Sequence, residues 1–188
     1  MTRSIVEQAH DFYDAVPYEV PVPEASLYEL LDTAARLYPD RVALDYFGST
    51  TTYAQVRDQV LRAARVLHEA GVRAGDTVAI ALPNCPQAFV AFYACMRIGA
   101  VAAQHNPLAP AQEIAGQLAR HGGRVAIVWE KCVDAYPLDA LDTVLTVDIS
   151  FAMPASQRFL LKLPVPRARQ MRAQLRGAVP AACVSWDR

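Results

Sequence analysis

The 188 residues carry a formal net charge of −1, with 53% hydrophobic and 20% charged side chains, so the chain can build a substantial core and has no global excess of positive charge for nucleic acid. Cys85, Cys95, Cys132 and Cys183 are scattered with no C-x-x-C pair, which favours reduced, buried thiols in the cytoplasm over a disulfide framework or cysteine metal site. The longest apolar run, Ala88 to Ala103, is broken by Arg97 and falls short of the roughly 20 residues a membrane span needs.

In chain order, residues 1–25 form a lead punctuated by Pro17, Pro21 and Pro23, with one short helical piece expected before Pro17 and no secretory signal. Ser26 and Glu29 make a capping-box pattern, followed by Leu27, Leu30, Leu31, Ala34 and Leu37 at helical spacing until Pro39. Val42 to Phe47, Gly48-Ser49 and Thr50 to Tyr53 read as strand, turn and strand. Thr52 and Gln55 make a second capping box, after which Val56, Val60, Ala64 and Leu67 line one face of a helix that Gly71 ends.

From Gly71 to Leu118 the pattern is strand, helix, strand, helix. Thr77 to Leu82 is a short apolar run closed by Pro83-Asn84, as expected for a strand buried on both faces. Pro86 opens a helix to Ile98 that is apolar nearly all round and reads as buried, with its aromatics Phe89, Phe92 and Tyr93 expected in the core in preference to lining a ligand pocket. Ala100 to Ala103 is expected to be a second buried strand, and Pro110 to open a helix with Ile114 and Leu118 inside. Arg124 to Trp129 and Thr143 to Val147 add two strands, with a short helix between them. Strands alternating with helices of this length predict an α/β fold: a largely parallel sheet with helices on both faces.

The order G-D-x-V-A-I-x-L-P-N-x-P, helix, G-A-V and then N-P-L, together with L-x-x-A-A-R-L-Y-P-D-R-V-A-L, resembles the N-terminal region of acyl-CoA synthetases in the adenylate-forming ligase superfamily. The resemblance covers 26–148 and implies an incomplete large domain. It further implies a parent fatty acid–CoA ligase of medium- or long-chain preference, using ATP, magnesium and coenzyme A to convert a carboxylate to an acyl-adenylate and then a thioester. These are packing and turn residues in that family, so no catalytic, cofactor or metal position carries over. The family's Ser/Thr/Gly-rich loop ending in P-K-G has no match in these residues, and neither do its ribose-binding aspartate and C-terminal lysine. The chain alone is therefore expected to bind no cofactor and to perform no adenylation. It ends at Trp186-Asp187-Arg188 without a helix stop, which reads as a cut, so association with the remainder of the parent or with itself is expected.

Two sets of residues remain as site candidates. His105 and Asn106 lie just beyond a strand's carboxyl end, where open α/β sheets place ligands, although a lone histidine in a turn is more often structural. His10, His68 and His121 show no partners in sequence. Residues 149–188 form a basic-apolar connector or lid-like segment: Arg158, Lys162, Arg167, Arg169, Arg172 and Arg176 occur with no acid between Asp148 and Asp187, among Phe151, Phe159, Leu160, Leu161, Leu163 and Val165. That mixture suits either a solvated linker or contact with an anionic membrane through Arg158, Lys162, Arg167 and Arg169. A contrasting reading of the whole chain is a non-catalytic α/β module that binds a small ligand or partner at the strand ends near Asn84 and Asn106.

Overall fold

In the computed structural model, residues 24–186 are described; the expected helical piece before Pro17 lies outside them. Helix α1 spans Leu27–Leu37, and Glu29 reaches back to the Ser26 backbone N–H at 3.4 Å. Strands β1 (Val42–Tyr46) and β2 (Ser49–Thr52) form an antiparallel hairpin. Its turn is Phe47-Gly48, both at positive φ (54° and 85°), one residue earlier than the expected Gly48-Ser49. Helix α2 (Tyr53–Glu69) starts on a formed capping box: Gln55 N–H donates to Thr52 Oγ1 at 3.3 Å, and Thr52 N–H to Gln55 Oε1 at 2.9 Å.

The central unit is β3 (Thr77–Ala81), α3 (Pro86–Ile98), β4 (Val101–Gln104), α4 (Ala111–His121) and β5 (Val125–Trp129). Gly99 closes α3 in the left-handed region (φ 73°), and Ala100 N–H returns to Cys95 O at 2.9 Å, so carbonyls left open by the helix end are used. Pro110 stands at the N-cap of α4, not at its first helical position. Two 3-10 turns, Glu130–Ala135 and Leu138–Ala140, replace the expected short helix before β6 (Thr143–Val147). A further 3-10 turn at Ile149–Ala152 leads to α5 (Ala155–Lys162), α6 (Pro166–Leu175) and the two-residue β7 (Val184–Ser185).

All five strands of the main sheet are parallel, in the order β4-β3-β5-β6-β7. Strand alternation separates two cores. On one face Val78, Ile80, Ile127, Leu145 and Val147 pack beneath α1, α2 and α3; on the other, Ala79, Ala81, Ala126, Val128 and Val144 meet α4 and the 3-10 turns.

Two sequence expectations are corrected. The strand after Gly99 is not buried: β4 pairs only with β3, forms the edge of the sheet, and leaves Val101 51% exposed. Its alanines are compatible with burial but do not compel it. Helix α3 is also not buried all round. Val90, Ala91, Ala94 and Cys95 form its deep face, while Phe89, Phe92 and Tyr93 stay half-buried because the sheet and α2 cover only the small side chains.

Candidate functional site

The strand order repeats the doubly wound pattern in which ligands bind outside the carboxyl ends of neighbouring strands whose connections leave toward opposite faces. Here those strands are β3, which feeds α3 on one face, and β5, which feeds the 3-10 turns on the other. At the end of β3, Leu82, Asn84 and Cys85 border a cavity of about 540 Å³ shared with Gln104, the β1 residues Leu44, Asp45 and Tyr46, and the aromatic side of α3. Phe89 and Tyr93 are tilted against each other at 4.6 Å between ring centres, and Phe92 meets Tyr93 edge-on at 5.5 Å. The groove is largely apolar, with the amide of Asn84 and the side chain of Gln104 at its border.

The β5 side of this crevice is filled by the chain itself. Trp129 Nε1–H donates to Leu175 O at 2.7 Å, Lys131 Nζ to Ala173 O at 2.6 Å, and Gly177 lies so close to the Glu130 carbonyl that a Cβ there would collide with it. These bonds satisfy the last carbonyls of α6 and place them over the end of β5. Deeper in, Asp148 at the end of β6 is buried, accepts from Ser150 N–H at 2.9 Å, and pairs with Arg176, which also donates to Ser150 Oγ at 3.2 Å. The segment read from sequence as a connector or lid thus contributes the fifth strand and an ion pair under the sheet's carboxyl edge.

His105 and Asn106 diverge. Asn106 is exposed and holds its own turn, Oδ1 accepting from Leu108 N–H at 3.0 Å. His105 points inward, is 6% exposed, and stands 2.9 Å from His121, Nε2 to Nε2. The proton positions follow from the ends of the chain of bonds. Gly123 N–H donates to His121 Nδ1 at 3.0 Å, so the neutral His121 ring carries its proton on Nε2 and donates it to His105 Nε2. His105 Nδ1–H then donates to Tyr136 Oη at 3.1 Å. Burial first, and the neighbouring His121 second, hold His105 below the usual histidine range; burial, with Arg120 nearby, lowers His121, and burial raises Tyr136. His105, His121 and Tyr136 thus form one hydrogen-bonded network inside the fold, and burial favours the neutral form of both rings. Sequence reasoning treated His121 as unpartnered, since a separation of 16 residues across the β4–α4 return has no periodic signature.

Nucleophiles and metal ligands are equally limited. Burial raises the thiols of Cys85, Cys132 and Cys183, and pushes Cys95 up to about 12, so each stays protonated at neutral pH. Among the described residues no group of three or more His, Cys, Asp or Glu side chains could hold a metal ion. The Gly122-Gly123 pair is a helix stop: Gly122 ends α4 at φ 67°, and a Cβ on Gly123 would lie 2.6 Å from Thr77 O. These residues do not fit a triphosphate and its magnesium ion. A second cavity of about 510 Å³ lies between β2, α2, the start of α3, Phe151 and Trp186; Gln87 lines it, with Oε1 buried and without a hydrogen-bond partner.

The AMP-binding enzyme family matches residues 31–173. The chain is 28% identical over 159 residues to the long-chain-fatty-acid–CoA ligase of Bacillus subtilis, covering 81% of this chain and 28% of that protein. It is 44% identical over a shorter stretch of 88 residues to the acetyl-coenzyme A synthetase of Emericella nidulans, covering 42% of this chain and 13% of that protein. Among solved structures it is similar to the Klebsiella oxytoca NpsA N-terminal subdomain in complex with anthranilyl-AMSN, with TM-score 0.58, 28% identity, and 68% and 32% of the two chains covered. It is also similar to the inhibitor-bound N-terminal domain of FACL13 from Mycobacterium tuberculosis, with TM-score 0.59, 27% identity, and 66% and 34% covered. The chain spans about a quarter to a third of the length of the long-chain-fatty-acid–CoA ligases it matches, and the match across residues 31–173 places it in the AMP-binding enzyme family.

Proposed function

We propose that the chain is the scaffold portion of an ATP-dependent fatty acid–CoA ligase of medium- or long-chain preference, acting in the cytoplasm and peripheral to a membrane that holds its amphiphilic substrate. The observation that carries the fatty-acid reading is coverage. The long-chain-fatty-acid–CoA ligases of Bacillus subtilis and Salmonella typhimurium align with 81% and 85% of the chain, against 42% for the Emericella nidulans acetyl-coenzyme A synthetase and 57% for the Oryza sativa 4-coumarate–CoA ligase 2. No helix among the described residues is long and apolar enough to cross a membrane.

The parent reaction joins a carboxylate oxygen to the α-phosphorus of Mg-ATP with departure of pyrophosphate, then exchanges AMP for the thiolate of coenzyme A. Both steps need fixed cationic and N–H donors around developing phosphate charge. The described residues supply a sheet, a covered β5 end and an aromatic groove, and the donors are assigned to the rest of the parent. The chain alone is accordingly inert. ATP–pyrophosphate exchange with a panel of fatty acids is the test: the 188-residue chain stays at the level of a heat-killed control, and exchange well above it overturns this division of labour. For the ligase reading itself, the reading frame beyond Arg188 is expected to encode a Ser/Thr/Gly-rich loop ending in P-K-G. Its absence would leave the non-catalytic binding module, with the aromatic groove as its site.

A further inference from the structure

On the outer surface of the α5–α6 hairpin, large apolar side chains and cations are exposed side by side. Leu161 on α5 and Ala168 on α6 face inward, and helical spacing then turns Phe159, Lys162, Arg167 and Arg169 outward. Phe159 is 65% exposed, Leu160 57% and Val165, between the helices, 44%. The inner side is strapped down. Arg172 donates to the carbonyls of Leu161 and Leu163, the negative end of α5, while Arg176 is committed to Asp148 and Ser150. Arg158 lies over the Phe151 ring at 4.8 Å. The structure therefore divides the basic residues into those that hold the hairpin and Lys162, Arg167 and Arg169, which have no hydrogen bond or ion pair among the described residues.

We propose that this hairpin is a docking element for an anionic lipid bilayer, with Phe159, Leu160 and Val165 entering the headgroup boundary and Lys162, Arg167 and Arg169 meeting lipid phosphates. Charge complementarity selects this occupant: no acid lies between Asp148 and Asp187 to oppose an anionic surface. Neither attraction suffices alone. Three cations near a charged membrane contribute roughly fivefold each, and a few apolar side chains at the interface add a second signal of the kind stable peripheral binding requires. The proposal is independent of the ligase chemistry, since it rests on the outward side chains of the hairpin and not on the α6 carbonyls that meet the end of β5.

The test is vesicle co-sedimentation of the 188-residue chain on phosphatidylcholine alone and on phosphatidylcholine mixed with phosphatidylglycerol. Binding is expected only with the anionic lipid and to weaken as salt is raised. Lys162→Gln/Arg167→Gln/Arg169→Gln should lower partitioning roughly a hundredfold, and Phe159→Ser/Leu160→Ser roughly tenfold. All five side chains are exposed, so circular dichroism and thermal midpoint should match the parent chain. Equal binding to both lipids, or unchanged binding by the triple variant, overturns the proposal. So does a concentration-dependent oligomer that Phe159→Ser/Leu160→Ser converts to monomer without any vesicle binding, which would make the patch an interface between copies.

Discussion

The two faces of the main sheet are built on different principles. Beneath α1, α2 and α3 the strands present Val78, Ile80, Ile127, Leu145 and Val147, and the helices return Leu31, Val56, Val60, Leu67 and Val90. Beneath α4 the strands present mostly alanines, and the cover includes a buried polar network of His105, His121 and Tyr136 at the β4 edge. The first face is held by volume and tolerates no loss of it. The second is held by close approach and by satisfied donors and acceptors, so it should be sensitive to added atoms and to protons.

Truncation of the first face is expected to have the largest effect. Ile80 is fully buried at the centre of β3, and Ile80→Ala removes three carbons where three layers meet, at a cost of about 4 kcal/mol in the free energy of unfolding read from denaturant titration. A cost below about 1 kcal/mol would show that the helices above it can collapse and that this face is not close-packed. The matching perturbation of the second face adds a carbon. Gly123→Ala puts a Cβ 2.6 Å from the Thr77 carbonyl and 2.9 Å from His121 Nδ1, in backbone and ring that have little room to move. About 2–3 kcal/mol of destabilisation is expected from strain and a weakened Gly123 N–H bond to His121.

Protons sharpen the contrast further. His105 and His121 are both held below the ordinary histidine value of 6.5, chiefly by burial. The unfolded chain binds protons as pH falls through that value while the folded chain does not. The stability these neutral rings contribute is therefore fully present above 6.5, is lost progressively as pH drops toward the folded values, and changes no further below them. Each proton contributes at most about 1.4 kcal/mol per pH unit. Denaturant midpoints measured at descending pH should fall in this window, and the fall should shrink markedly in His105→Gln/His121→Gln. An unchanged slope in the double variant would assign the acid sensitivity to other groups.

What the sequence disclosed follows the same division. Periodicity, caps and stops are local, so α1, α2, both capping boxes and β6 at 143–147 could be read residue by residue. The apolar face followed as well, because its side chains recur at intervals of two or near three and a half. The polar network could not be read, since its members come from the end of β4, the end of α4 and a 3-10 turn, and only the return of the chain joins them. β7 was invisible for another reason: two residues cannot show an alternation, and Val184–Ser185 becomes a strand only through its register with Leu145 and Thr146. The basic segment was legible as composition. Its split into strapping and exposed cations depends on which acceptors lie within reach, the Leu161 and Leu163 carbonyls for Arg172 and Asp148 with Ser150 for Arg176.

The smallest expected effect tests whether the second face is tight everywhere or only at its rim. Gly116 sits in the interior of α4, between Ile114 and Leu118, and a Cβ there would meet nothing within 4 Å. Gly116→Ala should thus add helix propensity without strain and stabilise the fold by about 1 kcal/mol, a rise of about 3 °C in Tm. Its cause lies in the backbone freedom of the unfolded chain, and the rings at the end of the helix are untouched. The gain should therefore be the same at neutral and at acidic pH, parallel to the wild-type curve. A gain that disappears in acid would mean that α4 and the histidine pair move as one body, and that closeness of approach along the whole helix, not at Gly123 alone, sets this face.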